Sequence, residues 1–293
     1  MSIFYKSIST LFLAIISFNF MTVCVKILGD SYPVLELSFF RNIFGFLPII
    51  FIIYFSKEIN KSNILINKKY NILCAIRGFS VTFAQFCFYL SLTKLEYATA
   101  NTLAFSGPFF VTLLSIPILG HVIGFWRWSA VLLGFAGVVF IMKPGADIFT
   151  VYSLFPIGAA FGYALSSVLV KTFERSIPSI IIQLYTQFYC LLGSIILMLL
   201  FVDIKPVQNL NDFFFLILIG ITGSIGVFCL ISSYRKMKPS NLAPFEYIGI
   251  PTSFFLGWIF FSEAPFDQLF PGVLLIVSAG FLIIWRERKK GLA

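Results

Sequence analysis

Charge is scarce in this sequence: 11% of its 293 residues are Asp, Glu, Lys or Arg, where a soluble domain carries about 25%. That shortage excludes an ordinary soluble fold. Histidine occurs once, at His121, so no multi-histidine metal site can be assembled. The five cysteines (Cys24, Cys74, Cys87, Cys190, Cys229) form no CxxC pair and lie in apolar runs. They read as buried thiols, neither a disulfide framework nor a metal site. No GxxxxGK[ST] loop is present, so ATP is not the direct drive of any activity. The aspartates at 30, 147, 203, 212 and 267 are scattered, and no carboxylate stands beside an acid–base histidine. A membrane-embedded transferase needs one of those arrangements. The chain therefore does not read as an enzyme, and no cofactor is expected.

What is present is apolar. Hydrophobic residues make up 59% of the chain, with 38 Phe, which specifies an all-α integral membrane protein. Ten apolar segments follow one another at roughly 8–28, 33–55, 70–92, 97–119, 126–142, 152–170, 178–201, 212–234, 240–262 and 270–285. Lys6 and the run behind it lack a small-residue cleavage site and read as a first membrane helix, not a removed signal. No connection is long enough for a soluble domain. The net charge of +9 sits in these connections and not on a folded soluble face, so no nucleic-acid partner is expected. With the N-terminus in the cytoplasm, fifteen basic residues fall inside and four outside, while Arg41 and Arg77 lie within helices. The positive-inside rule then places both termini in the cytoplasm. The basic end, Arg286 to Lys290, anchors at anionic headgroups.

The chain also repeats itself. An offset of 145 residues brings Lys26 onto Lys171 and Pro33 onto Pro178. An offset of 142 brings Gly78 onto Gly220, Phe86-Cys87 onto Phe228-Cys229, Ser91 onto Ser233 and Gly107 onto Gly249. Two five-helix repeats, residues 1–146 and 147–293, are the consequence. Five is odd, so the second copy enters the membrane from the opposite side. Inverted repeats of this kind are common in alternating-access transporters.

Four charges lie inside the apolar segments: Glu36, Arg41, Arg77 and Glu246. Each costs about 2.5–3.5 kcal/mol at mid-helix, so none is expected to face lipid. Glu36 follows Pro33 at a segment start and can reach the interface. Arg77 and Glu246 enter to similar depth and are expected to pair or to share a ligand, the bland reading being a buried salt bridge between repeats. Polar stripes at helical spacing run through Gly78, Thr82, Gln85 and Tyr89; Asn101, Phe105, Pro108 and Thr112; and Gln183, Gln187, Cys190 and Ser194. Gln85, Asn101 and Gln187 carry amides that need partners, and Tyr89, Tyr163 and Tyr247 offer flat faces. The glycines at 158 and 162, and at 220, 223 and 226, read as helix–helix glue. Pro108, Pro244 and Pro251 interrupt the backbone ladder and are the candidate gating points. A lone loop His121 reads as incidental.

These residues resemble a known group. The runs LELSFFRN (35–42), AIRG (75–78), YATANTLAFSGPFFVTLLSIPILG (97–120), RWSAVLLGFAGVVFIMKPG (127–145) and APFEYIGIPTSFFLGWIFFSEAPF (243–266) are similar to the drug/metabolite transporter superfamily, EamA type, nearest its bacterial S-adenosylmethionine- and riboflavin-carrier-like branch. The resemblance implies a secondary transporter that moves a small polar or zwitterionic metabolite (an amino acid, S-adenosylmethionine or a vitamin-like compound) across the bacterial inner membrane, as a monomer or homodimer. A lipid-linked sugar flippase of the same superfamily is the alternative, which a side-opening groove would favour. Carried onto this chain, Arg41 and Arg77 match the family's arginines, Pro108 its fourth-helix proline, and Glu246-Tyr247 a position that tends to face substrate. One departure stands out: the first repeat has His121 where Leu-Gly-Glu is usual, while the second keeps the acid as Glu263.

Overall fold

A computed structural model of the chain describes residues 3–55, 65–120, 124–142, 151–202, 206–237, 242, 245–263 and 271–289. Among them there is helix and no strand. The helices are α1 (Ile3–Leu28), α2 (Val34–Phe44), α3 (Phe46–Phe55), α4 (Lys68–Lys94), α5 (Tyr97–Ala104), α6 (Gly107–Leu119), α7 (Phe125–Met142), α8 (Leu154–Leu169), α9 (Ser179–Phe201), α10 (Leu210–Lys236), α11 (Gly249–Phe261) and α12 (Gly272–Lys289). Short 3-10 turns, Val151–Ser153 and Val170–Thr172, extend α8 at both ends. Among the described residues, 7 helical runs are long and apolar enough to cross a membrane. They hold α1, α2 with α3, α4, α5 with α6, α8, α9 and α10, and the chain is a multi-pass membrane protein. Of the ten expected segments, the other three hold α7, α11 and α12, whose described lengths are 18, 13 and 18 residues. Apolar side chains such as Phe51, Phe55 and Leu199 point outward, as lipid contact requires.

The helix ends follow local chemistry. Pro33 and Pro178 precede α2 and α9 with near-identical extended angles (φ −58°, ψ 142° and φ −60°, ψ 143°), because the pyrrolidine ring presets φ. The helices α6 and α11 both close on a left-handed residue, Gly120 at φ 63° and Ser262 at φ 55°. Between α5 and α6 the helix breaks at Phe105-Ser106, where Pro108 has no N–H to give the Ala104 carbonyl. A second break at Tyr247-Ile248 precedes α11. There Pro251 deprives the Tyr247 carbonyl of its usual donor, and the Ile250 N–H takes over at 3.0 Å.

Small residues decide which helices touch. Helix α1 lies along α10, α4 along α8 and α9, α2 between α9 and α10, and α7 along α12. At the α4–α8 contact the Ser80 hydroxyl donates to the Gly162 carbonyl at 2.9 Å, and a Cβ on Gly162 would sit 2.9 Å from the Ser80 carbonyl oxygen. At α1–α10 the Ser233 hydroxyl donates to the Ser7 carbonyl at 3.0 Å, and Gly226 faces the Phe18 ring. Gly78 backs onto Tyr189 and Gly220 onto Phe44. Gly158 differs from the glue expected of it, since nothing comes nearer its added Cβ than 3.9 Å. His121 and Pro244 lie outside the described residues.

Candidate functional site

The helices enclose a central cavity of ≈ 210 Å³, walled by α1, α2, α4, α5, α6, α8, α9, α10 and Glu246. Its polar lining comes from both halves of the chain. Arg41, Arg77, Asn101, Tyr163, Gln187 and Glu246 all reach it, as does Pro108 at the broken entrance to α6.

Arg77 is buried at 2% exposure. Its Nε donates to the Ser166 carbonyl at 2.9 Å and a terminal nitrogen donates to the Thr186 hydroxyl at 2.7 Å, while the guanidinium stands 6.0 Å from the Phe173 ring. The Glu246 carboxylate accepts the Tyr234 hydroxyl. No ion pair forms between Arg77 and Glu246, contrary to the pairing expected from their depth. The reason is local: α8 and α9 supply acceptors beside the guanidinium, and α10 supplies a donor beside the acid. The two charges share a cavity without sharing a bond.

Arg41 is held by a network. One terminal nitrogen donates to the Asn42 side-chain oxygen at 2.9 Å. Asn42 in turn donates to the Gln85 amide oxygen at 3.1 Å, which also accepts the Ser38 hydroxyl at 2.6 Å. The Nε of Arg41 has no partner. Gln85 therefore sits behind the cavity wall and positions Arg41 through Asn42, where the stripe on α4 had placed it in the lining. Gly45 leaves room for the Gln187 amide, since a Cβ there would come within 2.6 Å of its nitrogen.

Three more expected residues lie elsewhere. Tyr247 is buried against Gly134, its hydroxyl 3.4 Å from the Val131 carbonyl. Pro251 lies in the first turn of α11, away from the lining. Tyr89 lines a second cavity of ≈ 300 Å³ with Lys26, Asp30, Phe261 and Glu263, and its hydroxyl reaches the Met21 sulfur at 3.8 Å. Met21 lines the central cavity. Tyr89 and Met21 thus form the partition between the two chambers.

An ion pair bridges the second chamber. Lys26 donates to Glu263 at 2.8 and 3.1 Å, the Tyr97 backbone N–H donates to the same carboxylate at 2.7 Å, and the ammonium lies 5.3 Å from the Phe261 ring. The ends of α1, α5 and α11 meet there. Several lining residues escaped sequence reasoning as site candidates: Asn19, Thr22, Ser167 and Tyr234. Asn19 had a signal, an amide alone in the apolar run of α1. Tyr234 gave no such signal among so many aromatics, and only the packing of α10 turns it inward.

Comparison with known proteins agrees with this architecture. The sequence profile of the EamA-like transporter family matches residues 5–143 and again 150–285. A Rickettsia bellii protein named S-adenosylmethionine uptake transporter is 24% identical over 278 residues, covering 94% of this chain and 92% of its own. A Vibrio cholerae riboflavin transporter is 30% identical over 189 residues, 64% of this chain and 62% of its own. A Pseudomonas aeruginosa pseudopaline exporter is 26% identical over 283 residues, 95% of each. A solved crystal structure superposes with a TM-score of 0.75 over 97% of each chain at 19% identity, a likeness of fold alone.

Proposed function

Because the chain belongs to the EamA-like transporter family, we propose that it carries a small polar or zwitterionic metabolite across the bacterial inner membrane by alternating access. The carrying observation is the central cavity, which gathers Arg41, Arg77 and Glu246 from both halves of the chain. Intramembrane charge of both signs around one central space is the chemistry a zwitterion needs. The three named relatives handle S-adenosylmethionine, riboflavin and pseudopaline, two by import or transport and one by export. Amino-acid-like compounds with an S-adenosylmethionine-sized upper limit are the class we assign. A central space walled by helices of both halves favours this reading over the flippase, whose lipid-linked cargo needs a side-opening groove.

The mechanism rests on ten spans in two inverted repeats, residues 1–146 and 147–293, with both termini cytoplasmic. Several features support it. The helix breaks at Phe105-Ser106 and Tyr247-Ile248 are 142 residues apart, as are the left-handed caps Gly120 and Ser262. Gly78 against Tyr189 and Gly220 against Phe44 are the same contact at the offsets of 142 and 145. Asn42 and Gln187, 145 apart, bond to each other, the Gln187 amide donating to the Asn42 carbonyl at 2.7 Å. A pseudo-twofold axis passing between them accounts for all of these. In that frame the central cavity faces the cytoplasm, and Tyr89, Met21 and the Lys26–Glu263 pair close the outer side. Pro108 and Pro251 supply the bending points for the switch.

Counterflow in proteoliposomes, with labelled amino acids, S-adenosylmethionine, riboflavin and nucleobases, tests the reading. Exchange of at least one zwitterion is expected, with its loss in Glu246→Gln. Counterflow of none of them, or of lipid-linked sugar alone, overturns it.

A further inference from the structure

Four amides line the central cavity: Asn19, Asn101, Gln183 and Gln187. Each one has its NH₂ group committed to the protein. Asn101 donates to the Tyr97 carbonyl at 2.8 Å, Gln183 to the Ser224 carbonyl at 2.8 Å, and Gln187 to the Asn42 carbonyl at 2.7 Å. Asn19 donates to the Thr252 hydroxyl at 2.6 Å, and that hydroxyl already spends its proton on the Gly249 carbonyl at 2.8 Å. Backbone carbonyls only accept, so none of these amides can be turned over without losing its bond. The orientation of all four is therefore set, with the oxygen as the end left over.

No donor among the described residues reaches any of those four oxygens. The Gln183 oxygen is the extreme case, in a side chain of 1% exposure with no partner at all. An acceptor left bare in an apolar surround is costly; that applies to the Gln183 oxygen, while the other three belong to side chains in the same lining. Glu246 adds a fifth acceptor group to the same lining. Arg77 is held by Ser166 and Thr186 and Arg41 by Asn42, and neither guanidinium donates to these oxygens.

We infer that the central cavity recognises its ligand through several N–H donors on one cationic group, a primary ammonium, read by the oxygens of Asn19, Asn101, Gln183 and Gln187 beside Glu246. The two arginines against one glutamate leave the lining with a surplus positive charge, so a bare cation is disfavoured. The ammonium belongs to a zwitterion whose anionic part answers the guanidinium groups. This deepens the carrier reading and rests on it: the site counts N–H bonds and does not merely sense charge. A quaternary ammonium of equal charge offers no donor and leaves the same oxygens bare.

The test is binding by the full-length protein in detergent, read as ligand-dependent thermal stabilisation. The probes are S-adenosyl-L-methionine, L-methionine and L-lysine, with N,N,N-trimethyl-L-methionine as the donor-free counterpart. At least one primary-ammonium probe is expected to bind saturably, and the trimethyl compound to bind about tenfold or more weakly than L-methionine, the worth of one hydrogen bond to a charged group. Gln183→Leu and Asn101→Leu are each expected to weaken the primary ammonium by a similar factor without changing affinity for the trimethyl compound. Gln183→Leu also removes the donor to Ser224, so its melting without ligand is measured first, and Asn101→Leu supplies the second, independent reading. Equal affinity for the methylated and unmethylated pair, no binding of any primary-ammonium probe, or unchanged affinity in both Leu variants overturns the inference. Counterflow separates the two claims: transport without donor discrimination sinks this inference alone, and discrimination without transport sinks the carrier reading alone.

Discussion

At the scale of single residues, Arg77 and Glu246 do different work despite their shared cavity. Arg77 spans three helices through Ser166 and Thr186, so Arg77→Met leaves two buried acceptors unpaired. A loss of about 2–4 kcal/mol in stability is expected from that pair, read as a lowered midpoint in detergent melting. Glu246→Gln keeps the size and an acceptor for the Tyr234 hydroxyl. It is expected to leave melting close to wild type while reducing substrate counterflow by about tenfold or more, since a charged partner for the ligand is gone. Ser262 holds φ at 55°, a left-handed angle that an L side chain adopts at a cost. Ser262→Gly is expected to raise stability by about 0.5–1 kcal/mol, as its counterpart Gly120 already does without strain.

At the scale of elements, close approach and an end-to-end tie organise the helices. Gly78 and Gly220 admit α9 and α2 against α4 and α10. A Cβ on Gly78 would come within 2.9 Å of the Thr186 carbonyl oxygen, and one on Gly220 within 2.7 Å of the Phe44 carbonyl carbon. Backbone cannot yield as a side chain does, so Gly78→Ala and Gly220→Ala are each expected to cost about 1–3 kcal/mol, again measured by melting. The Lys26–Glu263 pair, with the Tyr97 N–H, ties the ends of α1, α5 and α11. It is partly exposed, so its worth to stability is small. Its effect belongs to the switch: Glu263→Gln is expected to raise labelling of Leu92→Cys by an impermeant thiol reagent from outside the cell, and Lys26→Glu combined with Glu263→Lys to restore protection. Unchanged labelling in Glu263→Gln would remove the pair from the closure.

At the scale of the whole molecule, the distribution of basic residues and the twofold profile match make one statement about topology. A periplasm-dependent enzyme reporter fused after Ala293 is expected to stay inactive, and one fused after Lys94 to be active. Activity at the C-terminal fusion would reverse the orientation. The inverse, a reporter silent at both positions, would deny that α4 crosses the membrane. The proposed twofold relation would also bring residues far apart in the chain to one cavity. Asn42 and Gln187 meet at its wall, and each half contributes one broken helix.

Membership in a multi-helix membrane class follows from composition alone, because 59% apolar and 11% charged residues leave the chain no aqueous fold. The doubled pattern that the family profile matches at 5–143 and 150–285 was also legible, since proline, glycine and serine recur at positions where backbone geometry admits few substitutes. So was the rule that Arg41, Arg77, Asn101, Gln187 and Glu246 must turn away from lipid. Which of them meet was decided only by the packing. Gln85 and Tyr89 share a stripe on α4, yet one supports Arg41 from behind and the other partitions two chambers, because α2 and α1 cross that stripe at different heights. Arg77 and Glu246 stand at similar depth but find nearer partners on α8, α9 and α10. Helical spacing assigns a face, and depth assigns a level. The neighbour that comes within 3 Å is settled by where glycines let other helices approach, a property of pairs of segments that no single segment carries.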